Sequence, residues 1–449
     1  MSESKQNGDS LRGSIVALLP LLLFLSLYIG VGIYLSFQGV EYAFYQLPAP
    51  VAILPAIIVA FILDRFYRKK ELTQSLSSTL EDFLRGVGHP DIIAMCMIYL
   101  LAGAFAAVAK ASGGVDATVN LGLSAMSPSM ILPGIFIISA FIATAMGTSM
   151  GTIAAVAPVA LGIAESAELS LSLTAGVVLS GAMFGDNLSI ISDTTIAATR
   201  SQGCKMKDKF KENIRMALPA AIASLILFTF FSASTQVPQV QEIHWIKVIP
   251  YITILILAIA GVNVFAVLSL GIFLAGIIGL STLQSYSLTT FSQDIYAGFG
   301  NMQEIFLLSL LIGGLSELMK KQGGLTFLTQ FISKLISKVP NKLISEKRTS
   351  EYGIALLVSA INFCTANNTV AIIVSGSVAK NLAQKNDIDP KRSASILDIF
   401  SCVVQGILPY GAQVLLLGSV FKLSPLEIIS HSYYCLILAL VALILPSRQ

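Results

Sequence analysis

The chain has 449 residues, of which 55% are hydrophobic and only 12% are charged, with a mean hydropathy of +0.80 and a formal net charge of +3. Soluble domains carry about 25% charged residues, so this composition indicates a polytopic membrane protein. The small net charge, with basic residues in short loops, argues against nucleic acid as a partner.

The first apolar segment, residues 14–37, follows a short polar N-terminus and contains no charged residue. The apolar region of a secretory signal is only about 7 to 15 residues long, so this longer segment predicts a transmembrane helix and not a cleaved signal. Further apolar segments lie at 48–63, 92–109, 131–146, 150–165, 170–184, 216–232, 246–260, 263–280, 302–319, 352–366, 369–384, 395–420 and 431–446.

Several of these segments are shorter than the roughly 20 residues that a full transmembrane helix needs. Four of the short segments form two pairs, 131–146 with 150–165 and 352–366 with 369–384, and each pair meets at small polar residues. Such pairs are typical of re-entrant hairpins or broken helices. The sequence therefore predicts an all-α polytopic membrane protein with about 11 to 13 transmembrane or re-entrant helical segments.

Lysine and arginine in short loops predict which side of the membrane each loop faces, because cytoplasmic loops carry the excess. The segments 64–88 and 200–215 are rich in both residues, whereas 38–49, 233–245 and 281–301 contain neither. We expect the first two segments on the cytoplasmic side and the other three outside. Both chain termini then lie in the cytoplasm.

The sequence contains a weak internal repeat. Its identities are Gly103, Lys110, Gly113 and Gly114, which recur 210 positions later as Gly313, Lys320, Gly323 and Gly324, and Gly86 and Gly88, which recur as Gly298 and Gly300. The charges flanking the two copies have opposite bias, which indicates an inverted-topology transporter repeat. We predict one membrane transporter domain, 1–449, made of two N-terminal helices with a basic loop (1–84), a first repeat (85–215), connecting helices (216–296) and a second repeat with the last helix (297–449).

One stretch, Gly185–Thr195, places two carboxylates among hydroxyl and amide side chains inside an apolar region. An aspartate at mid-bilayer costs roughly 2.5 to 3.5 kcal/mol, so Asp186 and Asp193 predict a functional site. Helix capping is the structural alternative, because aspartate is a good N-cap residue. Serine or asparagine would cap a helix without that cost, which favours function.

Neutral oxygen atoms surround the two aspartates and the break between 131–146 and 150–165. We predict that the following side chains contribute to an ion or proton site: Asn187, Ser189, Ser192, Thr194, Thr195, Thr148, Ser149 and Thr152. For Ser189, Ser192, Thr194 and Thr195 the alternative is a hydrogen bond to the carbonyl one turn back in a helix.

The second repeat offers matching breaks that carry amides and hydroxyls. Broken helices leave carbonyls and helix ends that coordinate a cation or hold an anionic group. The candidates for a second half-site or a substrate site are Thr365, Asn367, Asn368, Thr369, Gln405, Tyr410 and Asp398. The alternatives are turn chemistry at the hairpin tip for the asparagines and interhelical hydrogen bonds for Gln405 and Tyr410.

One motif, Gly147–Gly151, fits the G-x-S-x-G pattern of serine hydrolases. That motif needs a strand-turn-helix elbow and a base, whereas here it joins two apolar segments with no histidine nearby in sequence. No phosphate-binding or dinucleotide-binding motif occurs. We expect a transporter that has no catalytic residues and no cofactor.

The residues Gly185–Ser189 and Ser192–Thr195, followed by a basic segment, resemble the signature of the NhaC-type Na+/H+ antiporter family, which belongs to the ion-transporter superfamily of inverted-repeat secondary carriers. Asn367–Thr369 is similar to a Ser-Asn-Thr hairpin-tip motif of that superfamily, with asparagine in place of the serine. The resemblance implies secondary transport in a bacterial-type inner membrane, surrounded by lipid, and it is compatible with a homodimer. It leaves the substrate open, since relatives exchange organic acids or move amino acids with Na+.

The expected mechanism is competition for one carboxylate, which holds either a proton or a hard cation but hardly both. We hypothesise that Asp193 is the site shared by H+ and Na+, and that Asp186 assists by tuning Asp193 or by binding the Na+ ion. The alternative is an Na+- or H+-coupled carrier of a small organic acid or amino acid, whose carboxylate is held by Asn367–Thr369 and the helix ends around Gln405.

Overall fold

A computed structural model describes residues 13–40, 43–68, 72–125, 127–190, 192–232, 243–336 and 345–445, and every regular element in them is helical. Three are short 3-10 segments, Ile15–Leu18, Ala43–Tyr45 and Pro128–Met130. The α-helices are α1 Leu19–Phe37, α2 Ala49–Ala52, α3 Leu54–Arg68, α4 Leu72–Val87, α5 Pro90–Ala111, α6 Gly114–Ala125, α7 Ile131–Met146, α8 Ser149–Ser166, α9 Leu171–Leu188, α10 Asp193–Gln202, α11 Met206–Ser232, α12 Trp245–Ile259, α13 Val264–Thr282, α14 Leu288–Asn301, α15 Gln303–Lys321, α16 Gly324–Ile336, α17 Glu346–Thr365, α18 Asn368–Lys385, α19 Pro390–Gln405, α20 Ala412–Phe421, α21 Pro425–Ile429 and α22 Tyr433–Ile444.

Within the described residues, seven helical stretches are long and apolar enough to cross a membrane. They are Ile15–Phe37, Pro90–Ala111, Pro128–Met146, Ser149–Ser166, α9 together with α10, Met206–Ser232 and Val264–Thr282. The pair α14 and α15, bent by 45°, forms an eighth candidate, and α12, α16, α20 and α22 are shorter apolar helices. These helices confirm the predicted all-α polytopic membrane protein.

Several predicted loops contain helices, which corrects the sequence-based assignment. The segment 64–88 holds the end of α3 and all of α4, 281–301 holds α14, and 206–215 is the start of α11. These helices carry polar or charged side chains on one side, which interrupts any apolar run. The apolar segment 395–420 is broken at the polar stretch that the sequence predicts there, since α19 ends at Gln405 and α20 begins at Ala412. Both predicted cytoplasmic termini lie outside the described residues, as do 69–71 and 233–242.

The chain divides into two compact units, of which the first comprises Met1–His89 and Leu310–Pro340. Its described part holds α1 to α4, α16 and most of α15. Polar side chains tie its helices together, since Thr79 in α4 donates to the Asp64 carboxylate in α3, and Gln322 Nε2 donates to the Ala60 carbonyl oxygen at 2.8 Å. Buried polar groups of this kind are satisfied within the protein because lipid offers no partner.

The second unit, Pro90–Ser309 and Asn341–Gln449, contains both predicted hairpins. Helices α7 and α8 meet at Gly147, whose φ of 71° is left-handed, and Thr148 then caps α8. Helices α17 and α18 meet at Ala366, with φ of 50°, and Asn367 caps α18 by accepting a hydrogen bond from the Val370 N–H at 2.9 Å. The two predicted breaks are therefore confirmed.

The helices around these breaks recur at a constant spacing of 219 positions. Helices α8 and α18 begin and end at matched positions, as do α10 and α20, and α9 and α19 begin at matched positions. Left-handed residues recur with them, since Glu168 (φ 51°) matches Asp387 (φ 50°) and Gly203 (φ 78°) matches Lys422 (φ 57°). The internal repeat is thus visible in backbone conformation, while the domain boundaries drawn from the sequence stay a prediction.

The earlier part of the repeat keeps the spacing of 210 positions seen in the sequence. Gly113 and Gly323 are both left-handed, with φ of 75° and 86°, and α6 and α16 begin at the next residue. Tyr99 and Ser309, which are also 210 positions apart, contact each other through their hydroxyl oxygens at 3.3 Å. Contact between equivalent residues is the pattern expected where two repeats are related by a two-fold axis.

Two pairs of glycines lie where helices cross closely, and the two crossings occupy equivalent positions in the internal repeat. A Cβ added to Gly103 would lie 2.3 Å from the Gly298 carbonyl oxygen, and one added to Gly86 would lie 2.3 Å from the Gly313 carbonyl oxygen. Small residues at such crossings allow the backbones of membrane helices to approach closely. The recurrence of these four glycines in the sequence therefore has a packing cause.

Candidate functional site

The stretch Gly185–Thr195 forms a break between two helices. Asp186 lies in the last turn of α9, the chain leaves the helix at Ser189, and α10 begins at Asp193. The N-cap of α10 is Ser192, whose hydroxyl oxygen accepts a hydrogen bond from the Thr195 N–H at 3.3 Å. Neither aspartate is an N-cap residue, so capping does not account for the two carboxylates.

Asp186 is buried, with 6% of its surface exposed, and its carboxylate accepts a hydrogen bond from Ser149 Oγ at 2.8 Å. Ser149 is the first residue of α8, so a residue at the α7–α8 break contacts the aspartate at the α9–α10 break. The Ser149 hydroxyl oxygen in turn accepts from Gln413 Nε2 at 3.0 Å, and Gln413 Oε1 accepts from Gln405 Nε2 at 2.9 Å. One chain of hydrogen bonds therefore joins residues of both repeats.

This hydrogen-bonded chain borders a cavity of about 140 Å³ within the second unit. Its polar lining residues are Asp91, Thr148, Ser149, Asp186, Asp193, Thr194, Asn367, Asn368, Thr369, Gln405 and Gln413. Three of them are carboxylates, and no lysine, arginine or histidine is among the described residues that line the cavity. The carboxylates and neutral oxygen atoms make the cavity suited to a cation.

The aspartates differ in their surroundings. The Asp193 side chain is exposed, whereas the Asp186 side chain is buried. Asp91, in the first turn of α5, also lines the cavity and was missed by sequence reasoning. Its position next to Pro90 at a helix start is typical of an ordinary helix terminus, so the sequence offers no distinguishing signal for it.

Eight of the predicted site residues do not line the cavity: Thr152, Asn187, Ser189, Ser192, Thr195, Thr365, Asp398 and Tyr410. Two threonines bond within their own helices, since Thr152 Oγ1 donates to the Thr148 carbonyl oxygen at 3.1 Å and Thr365 Oγ1 donates to the Ile361 carbonyl oxygen at 3.0 Å. Tyr410 donates to the Phe363 carbonyl oxygen. The Tyr410 bond matches the hydrogen-bonding alternative that the sequence left open for this residue.

A second polar cluster contacts the α9–α10 break at Asn187 and Thr195, which do not line the cavity. Asp398 pairs there with Lys209 at 2.7 Å, and each side chain is only 1% exposed. Asn213 Nδ2 also donates to Asp398, at 2.7 Å. The sequence predicts a basic loop around Lys209 and gives no signal for Asn213, because the first turns of α11 are charged although the helix continues into the apolar core.

The sequence profile of the Na+/H+ antiporter family matches residues 14–233 and 233–446. The chain belongs to this family. It is accordingly a secondary antiporter and a multi-pass membrane protein, not an enzyme, and the resemblance to NhaC-type antiporters is confirmed.

The relatives of this antiporter are named for different exchanged solutes. The Na+/H+ antiporter NhaC of Bacillus subtilis is 24% identical over 83% of this chain and 86% of its own length. The malate-2H+/Na+-lactate antiporter of the same organism is 24% identical over 90% of both chains. The arginine/ornithine antiporter ArcD of Halobacterium salinarum is 24% identical over 89% of this chain and 85% of its own. Organic substrates thus occur among proteins similar to this antiporter.

Proposed function

We propose that this antiporter exchanges Na+ for H+ across the cell membrane and that Asp186 is the carboxylate shared by the two ions. The observation that carries the proposal is the cavity lining, which combines three carboxylates with neutral oxygens and, among its described residues, has no basic side chain. Such a lining attracts a cation and repels an anion.

Asp186 suits the shared role because it is buried and has a defined partner. Ionised, its carboxylate accepts the hydrogen bond from Ser149 and binds Na+ with the neutral oxygen atoms of the cavity. Protonated, it carries no charge and no longer attracts the metal ion. Since one group serves both ions in turn, release of one accompanies binding of the other, and the two fluxes are coupled.

Asp193 takes a different role in this proposal from the one expected from the sequence. Its exposed side chain stands at the first residue of α10, where a carboxylate is readily solvated. We assign Asp193 and Asp91 to attracting cations towards the cavity, and Asp186 to the exchange itself. The neutral residues Thr148, Thr194 and Asn368 are the proposed oxygen donors.

A second candidate is a cationic amino acid as the exchanged solute, as the name of the Halobacterium relative suggests. The carboxylates would suit its positive groups, and the neutral amides of Asn367 and Gln405 would face its carboxylate. The cavity volume of about 140 Å³ favours a small ion over a long amino acid, since pockets for drug-sized ligands have roughly 300 Å³ or more. A dicarboxylate fits less well, since it would meet three like charges.

Proteoliposomes that contain no organic solute test the proposal. Addition of Na+ outside acid-loaded vesicles should move protons, as reported by a trapped pH dye, and K+ or choline serves as the salt control. Exchange that needs arginine or ornithine on one side, with no Na+-driven proton movement in their absence, would favour the second candidate and refute the first. Exchange that needs malate or lactate would refute both.

A further inference from the structure

Lys209 lies in an oxygen cage formed by the α9–α10 break and α19. Its Nζ atom is 2.7 Å from Asp398 Oδ2, 2.7 Å from Thr195 Oγ1 and 3.4 Å from the main-chain oxygen of Asn187. A carboxylate, a hydroxyl and a carbonyl freed by a helix break are the ligand types that hold monovalent cations in membrane transporters.

The oxygens of the cage are oriented by other hydrogen bonds. Thr195 Oγ1 donates its own hydrogen to the Ser189 carbonyl oxygen at 2.7 Å and accepts a hydrogen bond from Ser192 Oγ at 3.0 Å, which leaves one lone pair for a cation. Asn213 Nδ2 donates to both the Asn187 carbonyl oxygen, at 2.8 Å, and Asp398 Oδ2, at 2.7 Å. The cage is therefore held together by Asn213 and Ser189 and does not depend on Lys209 alone.

The Asn213 amide is itself fixed, because its Oδ1 accepts a hydrogen bond from Ser395 Oγ at 2.6 Å. Its two N–H groups must then point at the cage oxygens and not away from them. An ionised carboxylate as buried as Asp398 needs a compensating positive charge, which the neutral Asn213 amide does not supply. Lys209 is the basic side chain that supplies it.

We infer that Lys209 is a tethered cation that permanently fills a monovalent-cation site made by Asn187, Thr195 and Asp398. Asn187 is the residue next to Asp186, so this site adjoins the proposed exchange site. If the proposed function holds, the tethered charge limits the exchange to the cation bound at Asp186. The filled site itself is independent of that function.

Removal of the side chain should convert the cage into a site for a free cation. The probe is the thermal unfolding of the purified full-length protein in detergent, in NaCl or KCl against N-methylglucamine chloride at equal ionic strength. All variants carry Asp186→Asn, which removes any response from the proposed exchange site. The Tm response therefore tests the cation site at Lys209 alone, whether or not Asp186 is the exchange site.

In the Asp186→Asn background, the Tm of Lys209→Ala should be about 2 to 4 °C higher in Na+ or K+ than in N-methylglucamine, because a ligand that binds only the folded state stabilises it. The Asp186→Asn protein that retains Lys209 should not show this rise. Addition of Asp398→Asn to Lys209→Ala should abolish the gain. The inference is overturned if Lys209→Ala shows the same Tm in all three salts, if the gain survives Asp398→Asn, or if Lys209→Ala is unfolded in every salt.

Discussion

Asp186 and Gln405 occupy matched positions 219 residues apart and are joined through the side chains of Ser149 and Gln413. The two repeats therefore meet at this hydrogen-bonded chain, with a carboxylate at one end and an amide at the other. Gln405 is 2% exposed, and its Oε1 atom accepts no hydrogen bond within the described residues. A bound cation or its water would supply the missing partner of this oxygen.

Neutralisation of Asp186 should abolish exchange. In Asp186→Asn the side chain keeps its shape but neither takes up a proton nor attracts Na+, so Na+-driven proton movement in proteoliposomes should fall to the rate of empty vesicles. Asp387→Asn is a matched control, because Asp387 is exposed and asparagine tolerates its left-handed backbone. Full exchange by Asp186→Asn would refute the assignment.

Removal of the Ser149 hydroxyl should weaken Na+ binding. Ser149→Ala deletes the hydrogen bond to the Asp186 carboxylate and leaves Gln413 Nε2 without its acceptor. Hydrogen bonds to charged groups contribute about 1.5 to 3 kcal/mol, so the apparent KM for Na+ should rise about tenfold or more. Ser139→Ala is the control, since Ser139 is equally buried but bonds only the Ile135 carbonyl oxygen of its own helix. Equal KM values for the two variants would contradict this role of Ser149.

Neutralisation of Asp91 should affect the approach of Na+ more than its exchange. Because Asp91 lines the cavity with Asp193, Asp91→Asn should raise the KM for Na+ about two- to fivefold while the maximal rate is retained. The increase should shrink when ionic strength is raised with choline chloride, because salt screens such attraction. Asp116→Asn provides a control, as Asp116 also lies in the first turn of a helix but is exposed and outside the cavity. A lost maximal rate at saturating Na+ would show that Asp91 takes part in the exchange step.

A methyl group at the α5–α14 crossing should destabilise the protein. Gly103→Ala would bring Cβ to 2.3 Å from the Gly298 carbonyl oxygen, whereas Gly300→Ala would meet no atom within 4 Å. Overpacking of this kind costs about 1 to 3 kcal/mol, so Gly103→Ala should lower Tm and Gly300→Ala should not. Thermal unfolding in detergent measures both variants, and equal Tm values would refute the predicted close approach.

Apolar runs and small polar breaks were sufficient to predict helix α7, both hairpin tips and the break that carries Asp186. They were insufficient for α4, α6, α10, α14 and α16, because a short or amphipathic helix does not form a continuous apolar run. Polar hairpin tips can be predicted from the sequence because a helix in lipid is interrupted only where other polar groups satisfy its free backbone N–H and C=O groups.

The site was predictable only in part, as Asp193 and Lys209 illustrate. Asp193 belongs to the recognised motif, yet its side chain is exposed while that of Asp186 is buried. Lys209 belongs to a run of charges typical of a cytoplasmic loop, yet its ammonium group is buried against Asp398. Local sequence does not encode which face of a helix is covered by a helix distant in the chain.

The sequence by itself determined the membrane class, the family and the polar breaks, since these follow from composition and from residues that are close together in the chain. The tertiary structure decided the rest: which aspartate is buried, that Ser149 contacts it, and that Gln405 reaches it through Gln413. Burial and hydrogen bonding in this cavity depend on residues from α8, α9, α19 and α20, which only packing brings together.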